Sequence, residues 1–195
     1  MTEAHSDALI SRQVRRLETL LEQRGIVSGE ALDEVLDAFL TGASPANGAH
    51  IVARAWTDRD FRARLLADGN AAVAELGYTT GSAHRPRLRV VRNTADVHNV
   101  LVCTLCSCYP IRLLGPSPSW YKSEAYRSRV VREPRAVLAE FGLRLPEETT
   151  ITVWDSTSET RYMVLPRRPE GTAGLAEAEL AALVTRNGLI GTAAV

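Results

Sequence analysis

All three cysteines of this 195-residue chain, Cys103, Cys106 and Cys108, stand in the segment NVLVCTLCSCYP, Asn99 to Pro110. Thiolates are soft ligands, and C-x-x-C-x-C spacing in a short loop lets three sulfurs converge on one metal ion. An odd number of cysteines, with no signal peptide legible in MTEAHSDALISRQ, argues against a disulfide framework, so they read as ligands, redox groups or a catalytic thiol. Structural zinc takes four protein ligands and iron–sulfur clusters four cysteines, so both leave the set one ligand short. His98 is a candidate fourth ligand, but its strand alternation groups it with Val100 and Val102 and suits a hydrogen-bonded structural histidine. The other source of donors is the backbone: deprotonated amide nitrogens between Cys106 and Cys108 would complete a planar set suited to a trivalent, Lewis-acidic iron or cobalt ion.

The elements that must hold this loop follow from periodicity. Residues 1–76 read as helices. Ile10, Val14, Leu17 and Leu21 recur at helical spacing, and Leu32, Val35, Leu36 and Phe39 form a second stripe behind a Ser28 N-cap. TGASPANGA breaks that helix, and two shorter ones are expected after Thr57 and Asn70 as caps. Residues 77–87 are turn-rich and read as a linker. From 88 to 195 the β-branched runs LRVVR, VHNVLV, TITVW and RYMVL alternate irregularly with helical SEAYRSRVVRE, PRAVLAEF and a final LAEAELAALVTRNG. The expectation is an α+β fold: a helical arm, then a compact layered domain of helices and mostly antiparallel strands, with the cysteine loop at a strand end.

Lys plus Arg and Asp plus Glu number 23 each, so the zero net charge gives no electrostatic reason to expect nucleic acid or an anionic membrane as partner. No apolar run approaches the roughly 20 residues that span a bilayer, and a cytoplasmic protein is the expectation.

VCTLCSCYP closely resembles the metal-binding signature of the nitrile hydratase alpha subunit. The likeness continues through WYKSEAYRSRVVREPRAVLAEFGL, VWDSTSETRYMVLPRRPEGT and LAALVTRNGLIG, covering Leu88 to Gly191 densely and the arm more loosely. The resemblance implies a non-corrin cobalt or non-haem iron centre held by Cys103, Cys106 and Cys108 with the backbone amides of Ser107 and Cys108. It implies a thiolate at Cys103, a sulfinic acid at Cys106 and a sulfenic acid at Cys108, rungs of the thiol oxidation ladder. Thr104 and Tyr109 match the cobalt version, so cobalt(III) is expected ahead of iron(III). The implied reaction hydrates a nitrile to its amide by Lewis-acid activation, with the Cys108 sulfenate, or a water it activates, as nucleophile. Implied partners are a beta subunit that completes the site, embraced by the N-terminal helices, and a small activator protein that loads the metal. Asp155, Ser156 and Arg161 are expected as supporting or intersubunit groups, and Trp120, Tyr121 and Lys122 as packing.

Two positions depart from the family pattern. Pro110 is followed by Ile111 and Arg112 where the family usually continues with Trp-Pro, which points to a reshaped pocket and a larger, polar nitrile, such as a cyano-bearing heterocycle or nucleoside. Arg92 stands where an acid is common, which bears on a subunit salt bridge. Two other functions fit the cysteines. One is a thiocyanate hydrolase-type subunit, whose gamma subunit has a similar cysteine set. The other is a non-catalytic module that stores or senses a metal with reduced, exchangeable thiolates.

Overall fold

A computed structural model describes residues 2–79, 86–106 and 108–195. Ser107 and residues 80–85 of the expected linker therefore lie outside the described residues. The chain divides into two compact units, Met1–Gly42 and Ala43–Val195.

The first unit contains α1 (Thr2–Gln23) and α2 (Gly29–Thr41). Gly25, at φ +64°, ends the first helix, with Gly25 N–H donating to Glu22 O and Ile26 N–H to Leu21 O. Ser28 caps the second as expected, its Oγ accepting from Ala31 N–H at 3.2 Å. The stripe of α1 is exposed: Ile10, Val14 and Leu17 each keep more than half of their surface.

The second unit opens with α3 (Pro45–Thr57), α4 (Arg59–Ala67) and α5 (Gly69–Glu75). The sequence pattern groups these helices with the arm. Their apolar residues, among them Ile51, Val52, Phe61, Leu65 and Val73, lie in the core with the strands that follow. Helix α3 was missed as a separate element because its apolar run includes small residues and begins within the presumed break. Ser44 caps it and Pro45 occupies its first turn. The next two caps are not the residues expected: Asp58, one residue after Thr57, accepts from Asp60 and Phe61 N–H, and Asp68, two residues before Asn70, from Ala71 N–H. Asn70 instead ties α5 to the first strand, accepting from Leu88 N–H at 2.6 Å.

Four strands follow, β1 (Arg87–Arg92), β2 (Val97–Val102), β3 (Thr150–Asp155) and β4 (Thr160–Leu165). They pair as β1 with β4 and β2 with β3, and both pairs are parallel, which corrects the antiparallel expectation. The short connection between β3 and β4 looks like a hairpin in sequence, but each strand returns to a partner from before the long crossover 103–149. That crossover carries α6 (Ile111–Leu114), α7 (Ser119–Lys122), α8 (Glu124–Val130) and α9 (Pro134–Glu140). The buried run of β2, from His98 to Val102, is what a parallel strand covered on both faces requires. The expected final helix is two, α10 (Glu177–Leu183) and α11 (Arg186–Ile190), because Thr185 starts a new cap by accepting from Gly188 N–H. The α+β class stands. None of the described helices is long and apolar enough to cross a membrane.

Candidate metal centre

Parallel pairing brings the carboxyl ends of β2 and β3 together. Val102 is in register with Asp155, and Ser156 N–H extends the ladder to Val102 O at 2.7 Å. Cys103 leaves β2 at this point and is fully buried, while Thr104 turns back onto β3. Thr104 donates to the Asp155 carboxylate twice, from its N–H at 2.9 Å and from its hydroxyl at 2.5 Å. One carboxylate thus fixes the first residue of the loop.

The turn then folds the sulfurs together. Cys106 N–H donates to Cys103 Sγ at 3.3 Å; Cys103 and Cys106 Sγ lie 3.3 Å apart, and Cys106 and Cys108 Sγ 3.0 Å apart. All three sulfurs lie within 4.8 Å of one another, and none of the three cysteines is in a disulfide. Cys103 and Cys108 are buried, whereas Cys106 is exposed. At a metal–sulfur distance of about 2.3 Å, sulfurs at right angles lie about 3.3 Å apart, and tetrahedral ones about 3.8 Å. The Cys103–Cys106 separation matches the right-angled value, and the Cys106–Cys108 separation is shorter than either.

Burial, followed by the hydrogen bond with Cys106, pushes the Cys108 thiol up to about 12, with Arg161 opposing. The protein alone therefore keeps this sulfur protonated, and a highly charged cation bound to it would favour the thiolate. The donor set and its convergence fit a metal ion held by Cys103, Cys106 and Cys108.

Side chains of α7 and α8 take the backbone carbonyls around this turn. Tyr121 Oη donates to Cys108 O at 3.2 Å, Tyr126 Oη to Leu101 O at 2.6 Å, and Arg127 Nη1 reaches Cys106 O at 3.5 Å. The sequence reading missed Tyr126 and Arg127 and set Tyr121 aside as packing. The usable signal was that a buried tyrosine needs a partner for its hydroxyl. Trp120 does pack, edge-on to Tyr126 and Phe141, and Lys122 is exposed.

Tyr109 is buried edge-on to Tyr121, with ring centroids 5.0 Å apart, and its hydroxyl has no partner among the described residues. Ile111 and Arg112 open α6 half-buried, the Arg112 carbonyl accepting from Asn47 Nδ2 at 2.8 Å. Arg161, on β4, is half-buried within electrostatic reach of Cys108, and Ser156 is buried at the end of β3. Ser107, expected as a backbone ligand, lies outside the described residues. His98 is not brought to the cysteines: Nε2–H donates to Gly191 O at 2.7 Å, so Nδ1 accepts from Asn93 Nδ2 at 3.2 Å.

Comparison with known proteins agrees with this geometry. The family model described as nitrile hydratase, alpha chain, matches residues 8–193. The cobalt-containing nitrile hydratase subunit alpha of Pseudonocardia thermophila is 49% identical over 183 residues, 93% of this chain and 89% of that protein. The thiocyanate hydrolase subunit gamma of Thiobacillus thioparus is 43% identical over 180 residues, 88% and 74% of the two chains. A double mutant of the Fe-type nitrile hydratase from Comamonas testosteroni Ni1 superposes with a TM-score of 0.89 at 44% identity, covering 96% of this chain and 90% of that one. With a family match spanning nearly its whole length and the cysteine turn folded for a metal, the chain belongs to the nitrile hydratase alpha-chain family.

Proposed function

We propose that this chain is the metal-bearing alpha subunit of a nitrile hydratase, converting R–C≡N and water to R–C(O)NH2 at a cobalt(III) centre. The observation that carries the proposal is the convergence of the three sulfurs, with adjacent separations of 3.3 and 3.0 Å. The ligands are the sulfurs of Cys103, Cys106 and Cys108 with the backbone amides of Ser107 and Cys108. Cobalt is favoured over iron by Thr104 and Tyr109 in the turn. When bound, the trivalent ion supplies Lewis acidity that draws electron density from the nitrile carbon.

The chain's own residues do the rest. Cys106 carries the sulfinate and Cys108 the sulfenate. Either a water hydrogen-bonded to the sulfenate attacks the nitrile carbon, or the sulfenate oxygen does, and water then replaces it on sulfur as the S–O bond breaks and the amide leaves, so that one water is consumed and the sulfenate restored. Asp155 anchors the start of the turn through Thr104, and Tyr121 holds its far end through the Cys108 carbonyl. Burial of Cys103 and Cys108 excludes bulk water from the inner sulfurs. Ser156 and Arg161 border the turn from the β3 and β4 side. Leu105, 89% exposed at its apex, and the exposed Cys106 are the face for a beta subunit, which completes the pocket after an activator protein has loaded the metal. Ile111 and Arg112, half-buried just beyond the turn, select a larger polar nitrile, such as a cyano-bearing heterocycle.

The test is to express the full chain with its beta subunit and activator in cobalt medium. Bound metal and added oxygen on the Cys103–Cys108 peptide are then measured by mass spectrometry, and turnover is assayed with acetonitrile, a heterocyclic nitrile and thiocyanate. One cobalt per chain, oxygens on Cys106 and Cys108, and preferred turnover of the heterocyclic nitrile are expected. Zinc or no metal with three unmodified thiols would overturn the catalytic reading and leave a metal-storage module. Preferred turnover of thiocyanate would favour the hydrolase, a reading that the arginines near the turn and the Thiobacillus relative keep in play.

A further inference from the structure

We infer that the cavity at the opposite end of β2 from the cysteines is a binding site for a small organic carboxylate, held by Arg167, Arg168 and the Thr149 hydroxyl. The cavity has a volume of about 310 Å³ and is walled by the segments that leave β1 and β4 and those that enter β2 and β3. That volume lies at the small end of the range for ligand pockets. Leu143, Leu145 and Pro146 give it an apolar side, and Arg167 and Arg168, in the run PRRP just after β4, a cationic one. Neither arginine makes an ion pair among the described residues, and Glu170 is the one acidic side chain of the lining.

The donors are positioned but unused. Arg168 Nε–H donates to Thr172 Oγ1 at 3.1 Å and Nη2–H to Thr172 O at 2.5 Å, while the Thr172 hydroxyl donates to Pro169 O at 2.7 Å. One edge of the guanidinium is thus fixed, and its Nη1 makes no hydrogen bond among the described residues. Pro166 and Pro169 bracket the two arginines with restricted φ, and Pro166 O accepts from Trp56 Nε1–H at 2.8 Å. Thr149 is 5% exposed; its N–H and C=O are engaged by Pro146 O and Arg135, but its hydroxyl makes no hydrogen bond among the described residues. A buried hydroxyl in that state favours a ligand that can accept from it. His98 and Asn93 also reach the lining, but their polar atoms are engaged by Gly191, Asn99 and each other, so they shape the cavity rather than bind in it. A carboxylate on a short apolar body answers all three features: its oxygens take the guanidinium and hydroxyl donors, and its body covers the leucines. An inorganic anion would leave the apolar side wet, and an uncharged molecule would leave the arginines without a counter-charge.

The experiment titrates benzoate, uncharged benzyl alcohol and inorganic sulfate into the full chain by calorimetry, with the chain produced together with its beta subunit and activator, both with and without cobalt. One benzoate per chain is expected, equally in the two preparations, with benzyl alcohol and sulfate bound about tenfold more weakly or less. Arg168→Met and Arg167→Met should each weaken benzoate about tenfold, and Thr149→Val about fivefold. Glu170→Gln should tighten it about twofold, and Arg59→Met, an exposed arginine on α4, should leave it unchanged. Should Arg168→Met disturb the turn at 169–172, Arg167→Met decides, because Arg167 makes no hydrogen bond or ion pair among the described residues. Unchanged benzoate affinity in folded Arg167→Met would overturn the inference. Absence of benzoate binding, or benzyl alcohol or sulfate bound as tightly as benzoate, would overturn it too. Benzoate bound only by the cobalt-loaded protein would place the ligand at the cysteine turn and equally overturn it, while leaving the metal-centre reading intact.

Discussion

The two ends of β2 both bury polar atoms, and they treat them in opposite ways. At the start of the strand, Asn93, His98, Asn99 and Gly191 close on one another. Asn93 Oδ1 accepts from Asn99 N–H and Nδ2, both at 2.9 Å, while Asn99 Oδ1 accepts from Trp154 Nε1 at 2.8 Å. Both ring nitrogens of His98 are engaged. Five residues on, about 17 Å along an extended strand, the sulfurs have chiefly each other, and the buried hydroxyl of Tyr109, next in sequence to Cys108, has no partner among the described residues. A saturated polar cluster fixes structure; a crowded set of soft donors, braced through its backbone, is shaped to take a ligand.

Substitutions at the two ends should therefore fail differently. Cys106→Ala is expected to give the largest effect, removing cobalt and lowering nitrile turnover by about a thousandfold or more. Because Cys106 is exposed, its melting temperature in the metal-free state should hardly move. Elemental analysis beside a thermal melt checks both; a variant that keeps cobalt would break the comparison at its functional end. Gly191→Ala should do the reverse. Gly191 has φ +90°, and an added Cβ would lie 2.0 Å from the Asn99 carbonyl oxygen, a backbone atom that cannot swing aside. The left-handed backbone and the overlap together should cost about 3 kcal/mol or more, read as a fall in the urea midpoint. Whatever fraction folds should still load cobalt. A folded variant of normal stability would show that this end is not as tightly closed as its hydrogen bonds indicate.

Legibility in the sequence followed the same division. The cysteine spacing, the four strands and the two helices of the arm are local patterns that appear where the residues indicated, whereas α3 and the break before α11 did not show in the stripes. Strand sense was not legible, because TITVW and RYMVL, separated by a short turn, look the same whether they pair with each other or with earlier strands. Tyr121, Tyr126 and Arg127 were obscured for a related reason. Their targets are carbonyls 13 to 25 residues away in sequence, and a backbone acceptor leaves no residue type to recognise. His98 was read as structural from alternation alone, and its hydrogen bonds are of that kind, though its partner Gly191 is 93 residues distant.

The smallest expected effect sharpens the structural end. Burial lowers the His98 pKa below its ordinary 6.5, opposed by the bond to the Gly191 carbonyl. Protonation would place a second N–H donor against Asn93 Nδ2, whose own oxygen is already occupied by Asn99. Between the folded pKa and 6.5 the unfolded chain takes up a proton that the folded chain resists. The unfolded state then binds more protons, so stability must rise with pH across that window. The contribution is fully present above about 6.5 and is lost as the pH falls through the window toward the folded value. Urea midpoints of the metal-free protein between about pH 5 and pH 8 should show this slope, and His98→Gln should remove it. The other histidines and the carboxylates remain in both proteins, so the difference between the two profiles isolates the one imidazole. Parallel profiles would mean that the Asn93–His98–Gly191 cluster admits a proton without cost, and that the strand start is less closed than the cysteine turn is open.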